Sequence, residues 1–226
     1  MDELTNIHQW IVQLPGGYKL AFNSGTITMS LIVMGLLLVF SFFATRRINI
    51  IPHSIQVVGE FLVNAFYGLT KDTLDEAMAK KYFPLIFSLF LFVAFSNWLG
   101  VIPKLSEPTK DLNTPLGLGI LGFVIAHYSG IKTKGFSAYF KDTYCEPFWF
   151  MLPLNIISEL ARVVSISFRL YGNIMGGAII ILVVSNLLYS LVVTPVFMMF
   201  FGLFVAIIQA FVFTMLTLVY ISLQVR

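Results

Sequence analysis

The chain is poor in charge and nearly empty of cysteine. Only 11% of its 226 residues are Asp, Glu, Lys or Arg, against roughly 25% in soluble globular domains. A surface facing water on every side needs more, so a soluble enzyme is not expected. The single cysteine, Cys145, rules out an internal disulfide and any cysteine-built metal cage. Basic residues number 14 against 11 acidic ones, and they gather into no stripe, so nucleic-acid binding is not expected either. The phosphate-cradling pattern G-x-x-x-x-G-K-S/T is missing. The start of the chain, with Asp2, Glu3, His8 and Pro15, lacks the basic residues and apolar run of a signal peptide. No internal repeat or long linker divides the sequence, which reads as one membrane domain, 1–226.

What is abundant is apolar: 58% of residues are hydrophobic, and the mean hydropathy is +0.88. Uncharged stretches of 26, 22, 20 and 56 residues follow Lys19, Lys81, Asp111 and Arg169. A bilayer-spanning helix needs about 20 apolar residues. The first three stretches supply one span each, whereas the last is too long for one and contains Pro195. Five crossings result, near 26–45, 82–102, 114–131, 150–190 and 196–224. The fold class is therefore all-α membrane protein. Its last two helices, 150–224, are too long to stand upright across about 30 Å of hydrocarbon and must tilt as a hairpin.

Positive charge favours the inner side. Arg46 and Arg47 follow the first span, the loop with Lys132, Lys134 and Lys141 follows the third, and Arg226 closes the chain. Lys104, Glu107, Lys110 and Asp111 cancel in the loop after the second span. The N-terminal segment 1–25 is thus expected outside and the C-terminus inside. Between the first two spans, 48–81 is too polar to cross. Ile55, Val58, Leu62, Ala65, Phe66 and Leu69 recur there at three- and four-residue steps, predicting an amphipathic helix at the inner interface.

Glu159, Arg162 and Arg169 lie inside the apolar bulk. An arginine at mid-membrane costs at least about 2.5–3.5 kcal/mol and cannot escape by losing its proton. Glu159 and Arg162, three apart, can pair. Arg169 has no Asp, Glu, Lys or His after it up to Val225. Glu159 is ten residues away, about 15 Å along a helix, which excludes direct pairing. A carboxylate from a partner chain is the inference. Asn155, Ser158, Arg162, Ser165, Arg169, Gly172 and Gly176 share one polar or small helical face, suited to close approach. The last helix carries a matching stripe: Gly202, Ala206, Gln209, Phe213, Thr217, Tyr220 and Gln224.

Residues 158–173 read SELARVVSISFRLYGN. This stretch resembles the signature of subunit a of F-type ATP synthases. Three more segments agree in order: FSNWLGVIP at 95–103, PTKDLN at 108–113 and QAFVF at 209–213. Pro52, Gln56 and Glu60 also match the family's spacing. The resemblance covers nearly the whole chain and implies a non-catalytic, ion-conducting stator; the short chain and the lack of a targeting peptide suit a bacterial plasma (inner) membrane, and an organelle-encoded copy would look similar. The resemblance implies as partners a ring of c subunits, b-type peripheral stalk subunits and the rest of the complex. Arg169 would meet the passing ring carboxylates and keep the two half-channels apart. Asn173 and Gln209 would hydrogen-bond around it and keep it extended. Glu159, Arg162 and Ser165 would line the inner half-channel or the packing beside it, while Asp111 and Asn113 would lie near the outer entrance. No cofactor or metal is implied.

The sequence departs from the family's proton-translocating pattern at two places, where titratable residues often sit nine after the arginine and seven before the glutamine. Here stand Ala178 and Gly202. The translocated ion stays open between protons, the commoner coupling in the family, and sodium. A secondary transporter with Arg169 binding an anionic substrate is the alternative from another class. It would call for paired broken helices and an inverted repeat, and the sequence displays neither.

Overall fold

The computed structural model describes residues 9–13, 19–45, 54–102, 105–145, 149–188 and 193–225. Five helices are long and apolar enough to cross a membrane: Ser24–Thr45, Glu76–Val101, Asn113–Lys134, Leu152–Leu187 and Pro195–Val225. The architecture is all-α, with one departure at its start. Strands β1 (Gln9–Gln13) and β2 (Lys19–Asn23) form an antiparallel hairpin within the N-terminal segment, where hydropathy alone predicts no element. Arg46, Arg47 and Arg226, with Asp2 and Glu3, lie outside the described residues, as do Pro52 and Lys104.

Helix α1 (Ser24–Thr45) is apolar nearly all round, and only Val33 is buried within the chain; such a helix faces lipid. Helix α2 (Ser54–Thr73) occupies the predicted amphipathic segment, yet it is rotated from the expected face. Gln56, Phe66 and Thr70 are buried, while Val58 and Ala65 are exposed. Phe66 decides the rotation, because its ring packs against those of Phe87 and Phe90 on the next helix, with centroids 5.8 and 4.3 Å away. Gln56 fits this inward side by donating to Glu60 Oε1 at 2.7 Å. Helix α3 (Glu76–Trp98) begins ahead of the predicted 82. Charge marks the edge of the hydrocarbon rather than the end of a helix. Glu76 pairs with Lys71 at 3.5 Å and Lys80 at 3.6 Å at that edge.

Helix α4 (Asn113–Lys134) ends at Gly135, whose φ of 84° is open to glycine at little cost. Short helix α5 (Phe136–Phe140) leads into α6 (Leu152–Leu188), 37 residues long. At 1.5 Å per residue α6 extends about 55 Å, nearly twice the hydrocarbon thickness, so it runs obliquely. After α7 (Val193–Phe197) comes a π-helical stretch, Met198–Val205, and then α8 (Ala206–Val225).

Helix α8 is the centre of the bundle, packed on α3 and α4. Its Ala210 and Phe213 join Phe66, Val93, Ile166 and Leu170 in one apolar cluster. Leu218 and Ile221 join Ala79, Ile86 and Ala126 in another. Glycines on α4 let neighbouring helices come close. A Cβ at Gly122 would stand 3.0 Å from Thr217 Cγ2, and one at Gly130 would stand 2.8 Å from the Gln224 carbonyl oxygen.

Candidate functional site

The two faces of α6 differ sharply. One packs into the bundle through Ile166, Ser167, Leu170, Ile174 and Gly177, all buried. The other carries Ser158, Ser165, Arg169 and Gly172, all exposed. Arg169 therefore projects from the bundle, and among the described residues no acidic group lies within ion-pair distance of it. Among the described residues, apart from the helix's own nearby backbone, nothing stands within 4 Å of a Cβ built at Gly172 or Gly176. The small residues on this side are open to a neighbour rather than used by the chain's own packing. The stripe on α8 behaves oppositely: Ala206, Gln209, Phe213, Thr217 and Gln224 are buried.

Asn173 and Gln209 come together as a pair, Asn173 Nδ2 donating to Gln209 Oε1 at 2.7 Å. The bond bridges α6 and α8 one turn beyond Arg169. Toward the other end of α6, Arg162 Nη1 donates to Glu159 Oε1 at 2.8 Å, as their spacing permits. A small pocket adjoins that pair, lined also by His127, Thr217, Tyr220 and Gln224 among apolar residues of α4 and α6. Tyr139 donates to Gln224 Oε1 at 2.8 Å. His127 Nε2 is 2.9 Å from the Tyr144 hydroxyl. Burial raises the Tyr139 phenol to about 12 and pushes Tyr144 up as well, so both remain hydrogen-bond donors at neutral pH.

Asp111 and Asn113 are placed together. Asp111 Oδ2 accepts from Asn23 Nδ2 at 3.2 Å and from the Thr26 hydroxyl at 2.9 Å. Its Oδ1 accepts from the Asn113 backbone N–H at 3.2 Å and Nδ2 at 2.9 Å. Both carboxylate oxygens are thus engaged in tying the start of α1 to the start of α4.

A second cavity, of about 220 Å³, lies between the loop after α3, the far half of α6 and the π-helical stretch; Asn173, Ala178 and Gly202 line it together with Glu107 and Lys110. The sequence reading singled out neither Glu107 nor Lys110 as a site residue, because their charges cancel. It also treated His127 as an interfacial polar residue. The available signal was proximity to the PTKDLN segment for the loop pair, and a step of seven from Ile120 along one face of α4 for His127.

The model of the ATP synthase A chain family matches residues 27–222. The chain belongs to this family. Among its relatives, ATP synthase subunit a of Helicobacter acinonychis (strain Sheeba) is 38% identical over 205 residues, 88% of this chain and 90% of the relative. The Helicobacter pylori (strain Shi470) protein of the same name gives the same identity and coverage. That of Helicobacter hepaticus (strain ATCC 51449 / 3B1) is 37% identical over 196 residues, 85% of each chain. As a member of the ATP synthase A chain family with five membrane-length helices, the chain is a multi-pass membrane protein.

Proposed function

We propose that this chain is the ion-translocating stator subunit of an F-type ATP synthase in a bacterial plasma membrane, with its N-terminus outside and its C-terminus cytoplasmic. Membership in the family supports the membrane-sector role. The observation that carries the finer reading is Arg169, exposed on a face of small residues and without an acidic partner among the described residues. In lipid that position would cost at least about 2.5–3.5 kcal/mol. A ring of c subunits bearing mid-membrane carboxylates removes the penalty and gives the charge its work. Facing Arg169, a ring carboxylate is favoured in its ionised form and releases its ion. The fixed cation also blocks a direct leak between the half-channels.

In this account Asn173 and Gln209 brace the bundle beside Arg169. Glu159, Arg162 and Ser165 belong to the inner half-channel, with Asp111 and Asn113 near the outer entrance as a structural clamp. Nucleotide chemistry belongs to other subunits, and the b-type stalk holds this chain against rotation. Movement of one charge yields about 2.3 kcal/mol per 100 mV.

Cysteine cross-linking in membranes tests the ring contact. Cysteines introduced by Ser165→Cys and Gly172→Cys, alkylated with a benzophenone maleimide and irradiated, should each join to a small two-helix ring subunit, whereas Gly119→Cys, facing Ser167 inside the bundle, should not. Failure of both exposed positions to cross-link in an assembled complex would contradict the proposed face.

A further inference from the structure

The cavity at the outer end of α6 holds a carboxylate that comes from a loop. Residues 105–111 fold back over the end of α3, and the Glu107 side chain is only 11% exposed. It lies so close over Gly100 that a Cβ there would collide with the carboxyl group. Across the cavity stand Asn173 and Ala178 of α6 and Gly202 of the π-helical stretch. Its volume of about 220 Å³ admits several water molecules at about 30 Å³ each. Among the described charged groups, Lys110 alone lines the cavity beside Glu107, with Nζ 3.1 Å from Oε2. Asp111 is turned away to Asn23 and Thr26. Asn173 closes the inner end, and Arg169 lies one helical turn further, about 6 Å along the axis.

Residues 170–225 contain no Asp, Glu or His, so the helices walling this cavity beyond Arg169 offer no carboxylate or imidazole. We infer that Glu107 is the proton-relay carboxylate of the outer half-channel, passing protons from the outer aqueous side through this cavity toward the ring carboxylate at Arg169. The inference rests on the translocation reading proposed above. A hydronium ion gives its proton to the Glu107 carboxylate and leaves as water. The carboxylic acid then yields the proton to water in the cavity and returns to the anion, and the proton ends on the ring carboxylate. Only O–H bonds form and break. Burial raises the Glu107 carboxyl above the ordinary carboxylate range, with Lys110 pulling the other way, which favours holding a proton transiently.

The test uses the whole purified complex in proteoliposomes, with proton-driven ATP synthesis measured as the pH on the outer-side compartment is varied. Glu107→Gln should lower proton flux roughly tenfold or more, while the assembled complex still hydrolyses ATP. Glu107→Asp should keep flux and move the pH midpoint down by about 0.4 unit, the ordinary difference between the two acids. Adding Ala178→Glu to Glu107→Gln should restore flux from the opposite wall, which loss of a merely structural ion pair would not allow. Flux within twofold of wild type in Glu107→Gln would overturn the inference. So would an unrescued loss combined with a wild-type pH profile in Glu107→Asp, and that profile decides alone if Glu107→Gln fails to assemble. Sodium-dependent flux indifferent to outer pH would overturn it too. Arg169→Ala runs alongside: if it is inactive while Glu107→Gln is normal, only the Glu107 assignment falls. If Arg169→Ala is itself normal, the underlying reading falls.

Discussion

Asp111 and Arg169 are both charged side chains in an apolar protein, and they are handled in opposite ways. Asp111 has all of its needs met inside the chain, with four donors on its two oxygens. Hydrogen bonds to a charged group contribute about 1.5–3 kcal/mol each. Asp111→Ala should therefore lower the thermal stability of the detergent-purified complex by loosening α1, while leaving ion transport in membranes largely intact. Loss of transport at unchanged stability would instead put Asp111 in the ion path. Gln209 stands between these cases: it is buried and accepts from Asn173. Gln209→Leu leaves the Asn173 amide without that acceptor beside the site, a penalty of about 1–3 kcal/mol. Transport should fall while the chain still inserts and assembles, as read by vesicle uptake and immunoblot of the complex.

Among elements, the glycines divide by the helix face they occupy. Gly122 and Gly130 admit α8 against α4, whereas Gly172 and Gly176 admit no other element among the described residues. Gly122→Leu should force α4 from α8, at about 1–3 kcal/mol for an overpacked core, and reduce the amount of folded chain in the membrane. Gly172→Leu should leave the chain folded and block ion transport by pushing the ring away. Equal effects of the two on folding would refute this division. The five spans were legible because a long uncharged stretch has few options other than the bilayer, and Arg169's exposure followed from the lack of any acid after it. The inward face of α2 was not legible. Val57, Val58 and Phe61 on its outer side are as apolar as Phe66 within, so periodicity alone does not choose between faces that meet protein and lipid. The burial of Glu107 was equally hidden, since it arises only when the loop folds over Gly100.

Across the whole molecule, the bundle is closed around α8 and open along α6. The Asp111 clamp puts the loop before α4 on the same side as the start of α1, and Glu159, His127 and Gln224 gather toward the start of α6 and the end of α8. Two groups of polar side chains thus lie toward opposite ends, with Arg169 between them and facing outward. The proposed pair of half-channels, communicating only through a moving partner, calls for an arrangement of this kind. The most direct test is ATP-driven ion uptake in inverted membrane vesicles, comparing wild type with Arg169→Ala, using a proton-sensitive dye with and without sodium. The account predicts that Arg169→Ala abolishes uptake in a complex that still assembles and hydrolyses ATP. Uptake at the wild-type rate in that variant would contradict it.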